Sequence, residues 1–328
     1  SVRRREADLR TLGLPLRKPM DPSCITYLVV LVAEFLVGMS VNGLIVGVSC
    51  THRYRRRRMT PCDLLLTSLG FSRMCLELVL LHASIETFLF LKSYPNSTLQ
   101  YSFCMFINQV DLWFSTWLSV FYFVKITTFT HPLFLWLKRR ISGLVPWLLL
   151  CSLLCSVVTN CPLLRKRTGN GLAGNLSGGH PEPGSAQVVV NPLSGPILIL
   201  PFPIFLTASF LLMVSLCRHV RRMRRSGTGA RGPSVAAHSG AIKTVFFFLL
   251  FCSSYFVAMT LLCSRTFPIE SLFTTLCEII LLACPTGHSV VLVLGNPKMK
   301  WAGKRLLTCP GAGRSRGASS LQGLRLKP

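Results

Sequence analysis

The stretch NQVDLWFSTWLSVFYFVKITTFTHPLFLWLKRRI, residues 108–141, decides how this chain is built. Its first part is apolar enough to cross a bilayer, and its last part is basic and aromatic. Inside the apolar part, Asn108, Asp111, Ser115, Ser119 and Tyr122 recur every three or four residues, so on a helix they share one face. A helix in lipid that carries such a face must turn it toward protein or water. Two roles fit: a hydrogen-bonded seam between helices, or the wall of an intramembrane cavity.

Working outward, half of the 328 residues are hydrophobic and only 14% are charged, against about a quarter in a soluble domain. Mean hydropathy is +0.50. A soluble fold has too little interior to hide that much apolar surface, so the class is membrane. The net charge of +25 would point to nucleic acid in a soluble protein. Here the Lys and Arg residues lie in loops and tails between apolar runs, so no nucleic-acid partner is expected and membrane lipid is the better one.

Seven apolar stretches follow the first 20 residues, at about 24–50, 64–91, 101–130, 143–164, 195–217, 241–263 and 271–295. Each is long enough for a helix that needs ~20 residues to span. No strand alternation and no internal repeat are visible. The expected fold is all-α, a bundle of seven transmembrane helices over 20–300, with a basic tail at 301–328.

Charge alternates between the connecting segments. THRYRRRRMTP after the first stretch holds five Arg, RHVRRMRRSGTGARG after the fifth holds six, and the tail beyond Asn296 holds eight Lys and Arg. Lys138, Arg139 and Arg140 follow the third, whereas the alternate loops are poorer. The positive-inside rule then places the C-terminus in the cytoplasm and the N-terminus outside. Residues 1–19, with six basic residues, run against that rule. Met20 opens an ordinary short outer segment, so 1–19 read as extra sequence, and no signal peptide is expected. Two glycosylation sequons, Asn96-Ser97-Thr98 and Asn175-Leu176-Ser177, fall in loops expected outside. Asn175 is the better acceptor, because Asn96 lies close to a span.

No catalytic constellation, metal-ligand spacing or phosphate-binding loop appears, and most of the 14 cysteines are single residues inside apolar runs. The chain reads as neither an enzyme nor a cofactor protein. A ligand-shifted conformational equilibrium fits better than turnover.

Local motifs resemble those of one family, the type 2 (bitter) taste receptors among the G-protein-coupled receptors. They are FYFVKITTFTHPLFLWLKRRI at 121–141, HSVVLVLGNPKMK at 288–300, Asn42-Gly43, LTSLGFSRMCLEL around Arg73, Pro201-Phe202, SLCRHVRRM at 215–223, and His238, Ala241 and Lys243-Thr244. The resemblance runs from about Met20 to Lys300. The rhodopsin-type marks, Asp-Arg-Tyr after the third span and Asn-Pro-x-x-Tyr in the seventh, are missing. The chain departs from the family in Cys104, where a Trp is usual, in the acid at Asp111, and in the tail from Cys309.

The resemblance implies a receptor that binds a small bitter agonist in an outer cavity and activates a heterotrimeric G protein of the gustducin type. For the ligand site it implies Asn108, Glu278 and Tyr255, with Cys104, Met105, Gln109 and Tyr101 nearby. As a structural and switch network it implies Asn42, Arg73, His288 and Ser289. Helical spacing, apart from the resemblance, sets Glu77 one turn after Arg73 and within pairing reach. Tyr122, Lys125, Lys138, Arg139 and Arg140 would face the G protein. His131-Pro132 is expected to break the helix, leaving Leu135, Trp136 and Leu137 in an interfacial turn. Asp111 has no partner in this reading. A decayed, non-functional receptor is one alternative. A transporter or channel is another, though the repeated halves it would need are not seen.

Overall fold

A computed structural model describes residues 22–56, 59–90, 98–127, 131–160, 199–225, 233–264, 266–268 and 271–308. Segment 1–19, Asn96, Asn175 and the tail beyond 308 lie outside these. The described residues form eight helices and no strand: α1 Pro22–Arg56, α2 Pro61–Phe90, α3 Thr98–Ile126, α4 Pro132–Asn160, α5 Pro201–Arg225, α6 Pro233–Cys263, α7 Leu272–Gly295 and α8 Pro297–Thr308.

Proline sets most of the starts. Six of the eight helices open on one, because the first helical residue needs no N–H partner and proline's fixed φ already suits the helix. Where a cap is visible it is local. Thr60 Oγ1 accepts from the Asp63 N–H at 3.1 Å and donates to the Asp63 carboxylate at 2.7 Å, a side-chain cap on the first turn. Ser271 accepts from the Thr274 N–H at 3.2 Å and opens α7.

This use of proline corrects the sequence-based boundaries. Pro132 does not produce a turn at 131–141; it opens α4, and Leu135, Trp136, Leu137, Lys138, Arg139 and Arg140 ride on that helix. Likewise α6 begins at Pro233 rather than 241, and α5 runs from Pro201 to Arg225 rather than from 195 to 217. Apolar runs mark the part of a helix that suits lipid, not the part that is helical. The boundary expected at 300 falls inside α8, a helix that hydropathy could not show.

Six helices are long and apolar enough to cross a membrane: α1, α2, α4, α5, α6 and α7. Helix α3 is not in that set, although its 29 residues extend about 43 Å, against about 30 Å of hydrocarbon. Asn, Gln, Asp and Ser residues lower its hydropathy. The packing explains why they are tolerated: α3 touches α2, α4 and α5, and every residue from Ile107 to Ser119 is buried or half-buried. Lipid is replaced by protein around it. Elsewhere α1 packs on α2 and α7, α5 on α6, and α6 on α7, which closes the bundle, while α8 returns to α1.

The apolar core runs through α3. Val110, Phe114, Leu118, Phe121 and Val124, at helical spacing, meet Leu65, Leu66 and Leu69 of α2, Ile141, Val145 and Leu149 of α4, Phe205 of α5, Phe248 of α6 and Leu292 of α7. Outward faces are apolar as well: Trp147, Leu150, Leu154, Val157 and Val158 of α4 are all exposed. An uncovered apolar face of that extent suits lipid and not water.

Candidate functional site

Arg73 is the hub of the interior. It is 2% exposed, and a guanidinium at that depth needs every donor engaged. Its Nε donates to Asp111 Oδ1 at 3.2 Å. Its Nη1 donates to Ser289 Oγ at 2.6 Å. Its Nη2 meets Ser115 Oγ at 3.1 Å and His288 Nδ1 at 2.5 Å. Because Nδ1 accepts from an obligate donor, His288 is the tautomer that carries its proton on Nε2. Its ring stands edge-on to Phe248 of α6, centroids 3.8 Å apart.

The network continues into α1. Ser289 Oγ lies 2.7 Å from Asn42 Oδ1, and Asn42 Nδ2 donates to Glu77 Oε1 at 3.2 Å. Thr286 Oγ1 meets the same carboxylate oxygen at 3.5 Å. Asp111, left without a partner on sequence grounds, is the ion-pair partner of Arg73 and also accepts from Ser72 Oγ at 3.1 Å. The Arg73–Glu77 pairing is therefore corrected. One turn apart on α2, the two side chains engage different helices, Arg73 toward α3 and α7 and Glu77 toward α1 and α7. Four helices are tied in one polar cluster, and Asn42, Arg73, His288 and Ser289 are all members.

The packing around this cluster is close. A Cβ on Gly38 of α1 would overlap the Glu77 carboxylate, and one on Gly70 of α2 would sit 3.3 Å from the Asn42 carbonyl oxygen. Beside the cluster, between α1, α2 and α7, lies a cavity of about 20 Å³ lined by Glu34, Arg73, Glu77 and Thr286 among leucines. It has room for about one water molecule, far too little for an agonist. Sequence reasoning did not single out Ser72, Thr286 or Glu34. A search of each apolar run for isolated acids would have found Glu34.

A second polar contact lies further along α3. The Tyr255 hydroxyl of α6 donates to Asn108 Oδ1, and both residues are buried. Cys104 lies one turn before Asn108 on α3. Cys104 and Met105 are half-buried. Gln109 points elsewhere: its Oε1 accepts from Thr159 Oγ1 at 2.8 Å and Asn160 Nδ2 at 2.6 Å, both of α4. Glu278 is exposed on α7 and is not brought to Asn108 by any contact. Ser119 meets Ser209 of α5 at 2.8 Å, and Ser115 belongs to the Arg73 cluster. The polar stripe is thus a seam at Asp111, Ser115 and Ser119.

At the other end of α3, Tyr122 Oη lies 3.7 Å from Cys62 Sγ. Lys138 Nζ donates to the Thr127 carbonyl at 2.9 Å, and Lys125 Nζ to the Lys138 carbonyl at 3.4 Å. These two lysines fasten the α3–α4 connection. Arg139 and Arg140 are exposed.

The profile of the taste receptor protein (TAS2R) family matches residues 20–310. Taste receptor type 2 member 1 of Chlorocebus aethiops is 36% identical over 293 residues, covering 88% of this chain and 97% of that relative. Taste receptor type 2 member 39 of Papio hamadryas is 36% identical over 303 residues, 89% of each chain. Taste receptor type 2 member 7 of Macaca mulatta is 34% identical over 297 residues, 86% of this chain and 92% of its own.

Proposed function

The chain belongs to the type 2 taste receptor family, and from that premise we propose that it binds small bitter agonists between α3, α5, α6 and α7 and activates a gustducin-type heterotrimeric G protein. The family is one of receptors, not enzymes, and the protein is a multi-pass membrane protein of the plasma membrane. In the proposed orientation the Asn108 end of α3 is outside and the Lys125 end is cytoplasmic, with α3 as the seventh span.

The observation that carries the ligand reading is the bond from Tyr255 to Asn108. An amide can donate and accept toward a ligand, and here its oxygen is held by a hydroxyl from the facing helix. An agonist that hydrogen-bonds Asn108 competes with Tyr255 and so acts on the α3–α6 relation. That differential contact is what a ligand needs to shift an equilibrium. Cys104 and Met105, within one turn of Asn108 on α3, join this site; Glu278, exposed on α7, is kept as a ligand contact on the family resemblance alone. Gln109, engaged by α4, is assigned to the scaffold. The Arg73 cluster transmits between α2, α3 and α7, and Tyr122, Arg139, Arg140 and the lysine-fastened α3–α4 connection form the G-protein side.

The test is calcium signalling in cells that carry a chimeric G protein, challenged with a panel of bitter compounds. A concentration-dependent response that Asn108→Ala abolishes at equal surface expression supports the reading. A receptor that reaches the surface and stays silent to the whole panel would overturn it in favour of a decayed receptor.

A further inference from the structure

Helices α3 and α4 pack against each other, and their polar contacts form rungs that run in opposite directions along the two chains. Trp117 Nε1 of α3 donates to Ser152 Oγ of α4 at 2.8 Å. Further along the seam, Gln109 Oε1 accepts from Asn160 Nδ2 at 2.6 Å. Four residues from each of these, Trp113 stands opposite Ser156 in the rung between. One step of four residues is about 6 Å along a helix.

That middle rung is unlike the two beside it. Trp113 is 8% exposed, Gln109 2% and Ser156 0%. Yet Trp113 Nε1, Gln109 Nε2 and Ser156 Oγ find no hydrogen-bond partner among the described residues. The Trp113 and Trp117 rings stack, centroids 5.5 Å apart, and Trp117 delivers its N–H to α4. The Gln109 amide is anchored by its oxygen, which accepts from both Thr159 Oγ1 and Asn160 Nδ2. That fixes which end is the nitrogen and leaves its N–H donors at the same seam.

These three atoms do not satisfy one another. Trp113 Nε1 and Gln109 Nε2 can only donate, and the Ser156 hydroxyl is bonded to neither. Native interiors leave few such groups unpaired. Whatever joins them accepts from two N–H groups, meets a hydroxyl and fits a close-packed seam. It is also uncharged: between the outer rungs the only charged side chain is Asp111, which is paired with Arg73 on α2. Water has these properties, and a buried water ordinarily makes about three hydrogen bonds.

We propose that one water molecule is a structural part of the α3–α4 seam, accepting from Trp113 Nε1 and Gln109 Nε2 and donating to Ser156 Oγ. It completes a run of three rungs and fixes the rotation of α3 against α4 at the level of Gln109 and its neighbour Asn108. The inference stands apart from the ligand reading, because nothing in it requires Asn108 to touch an agonist.

The experiment is X-ray radiolytic footprinting of the full-length receptor in nanodiscs, with oxygen incorporation assigned to single tryptophans by tandem mass spectrometry. Hydroxyl radicals formed from a bound water oxidise the side chain beside it, whereas a buried indole with no water beside it is spared. The wild type should be oxidised at Trp113 in spite of its burial. Ser156→Val, which puts a methyl group where the water sits, should lose most of that oxidation and leave exposed Trp301 labelled as before. If Ser156→Val does not fold, Ser156→Ala and Trp113→Phe are compared singly and together by thermal unfolding. Through a shared water, the double variant loses less than the sum of the single losses. A wild type spared at Trp113 overturns the proposal. So does oxidation that Ser156→Val leaves unchanged, and so do thermal losses that simply add.

Discussion

At the residue scale, Arg73 and Asp111 are the pair on which the interior depends. Removing one partner of a buried ion pair leaves an uncompensated charge, at a cost of about 3–5 kcal/mol. Arg73→Ala is therefore expected to lower the unfolding temperature and to reduce surface expression severely. Arg73→Met combined with Asp111→Leu removes both charges and should recover much of the stability. A double variant whose loss equals the sum of the two single losses would show that the pair is not coupled. Tyr255→Phe tests the other contact: it deletes only the hydroxyl on Asn108. A hydrogen bond of ordinary strength predicts a two- to tenfold change in agonist EC50, roughly, at unchanged surface level. An unmoved concentration–response curve would take Tyr255 out of the ligand site. Asn42, Arg73, His288 and Ser289 were legible as a group because motifs marked them. The identity of Arg73's acid was not. Helical spacing says that Glu77 is within reach of Arg73, but it does not say which neighbouring helix each side chain enters.

At the element scale, two features decide the packing. Helix α3 is polar where a span is ordinarily apolar, and it survives because α2, α4 and α5 enclose it. Helices α6 and α7 approach through glycine: a Cβ on Gly287 would lie 2.8 Å from Phe251 Cζ, and one on Gly295 would lie 2.8 Å from Thr244 Oγ1. Overfilling such a contact costs about 1–3 kcal/mol. Gly287→Ala should therefore destabilise the receptor by that amount in a thermal assay. Phe251→Leu in the same chain should restore part of the loss, because a shorter side chain vacates the clash. A neutral Gly287→Ala would show that the ring simply turns aside. The start of α4 was misjudged at this scale. Residues 132–141 are too basic to register as a span, yet proline at the first position and the two lysine–carbonyl bonds at the α3–α4 connection hold them as helix and corner.

At the scale of the whole molecule, the orientation is open to a direct measurement. If the segment holding Asn175 is outside, the expressed receptor carries a glycosidase-sensitive mobility shift that Asn175→Gln removes, while Asn96→Gln leaves it largely intact. Absence of any shift in a surface-localised receptor would count against that placement. By itself the sequence determined the membrane class, the helical architecture and the family, because hydropathy, charge alternation and local motifs are one-dimensional properties that survive without coordinates. Only the tertiary structure decided how the polar residues are shared out: Asp111 to Arg73, Glu77 to Asn42 and Thr286, Gln109 to α4, Asn108 to Tyr255. A polar residue in a span must find a partner, but which partner depends on the rotation and depth of the neighbouring helices, and those are set by side-chain packing across the whole bundle.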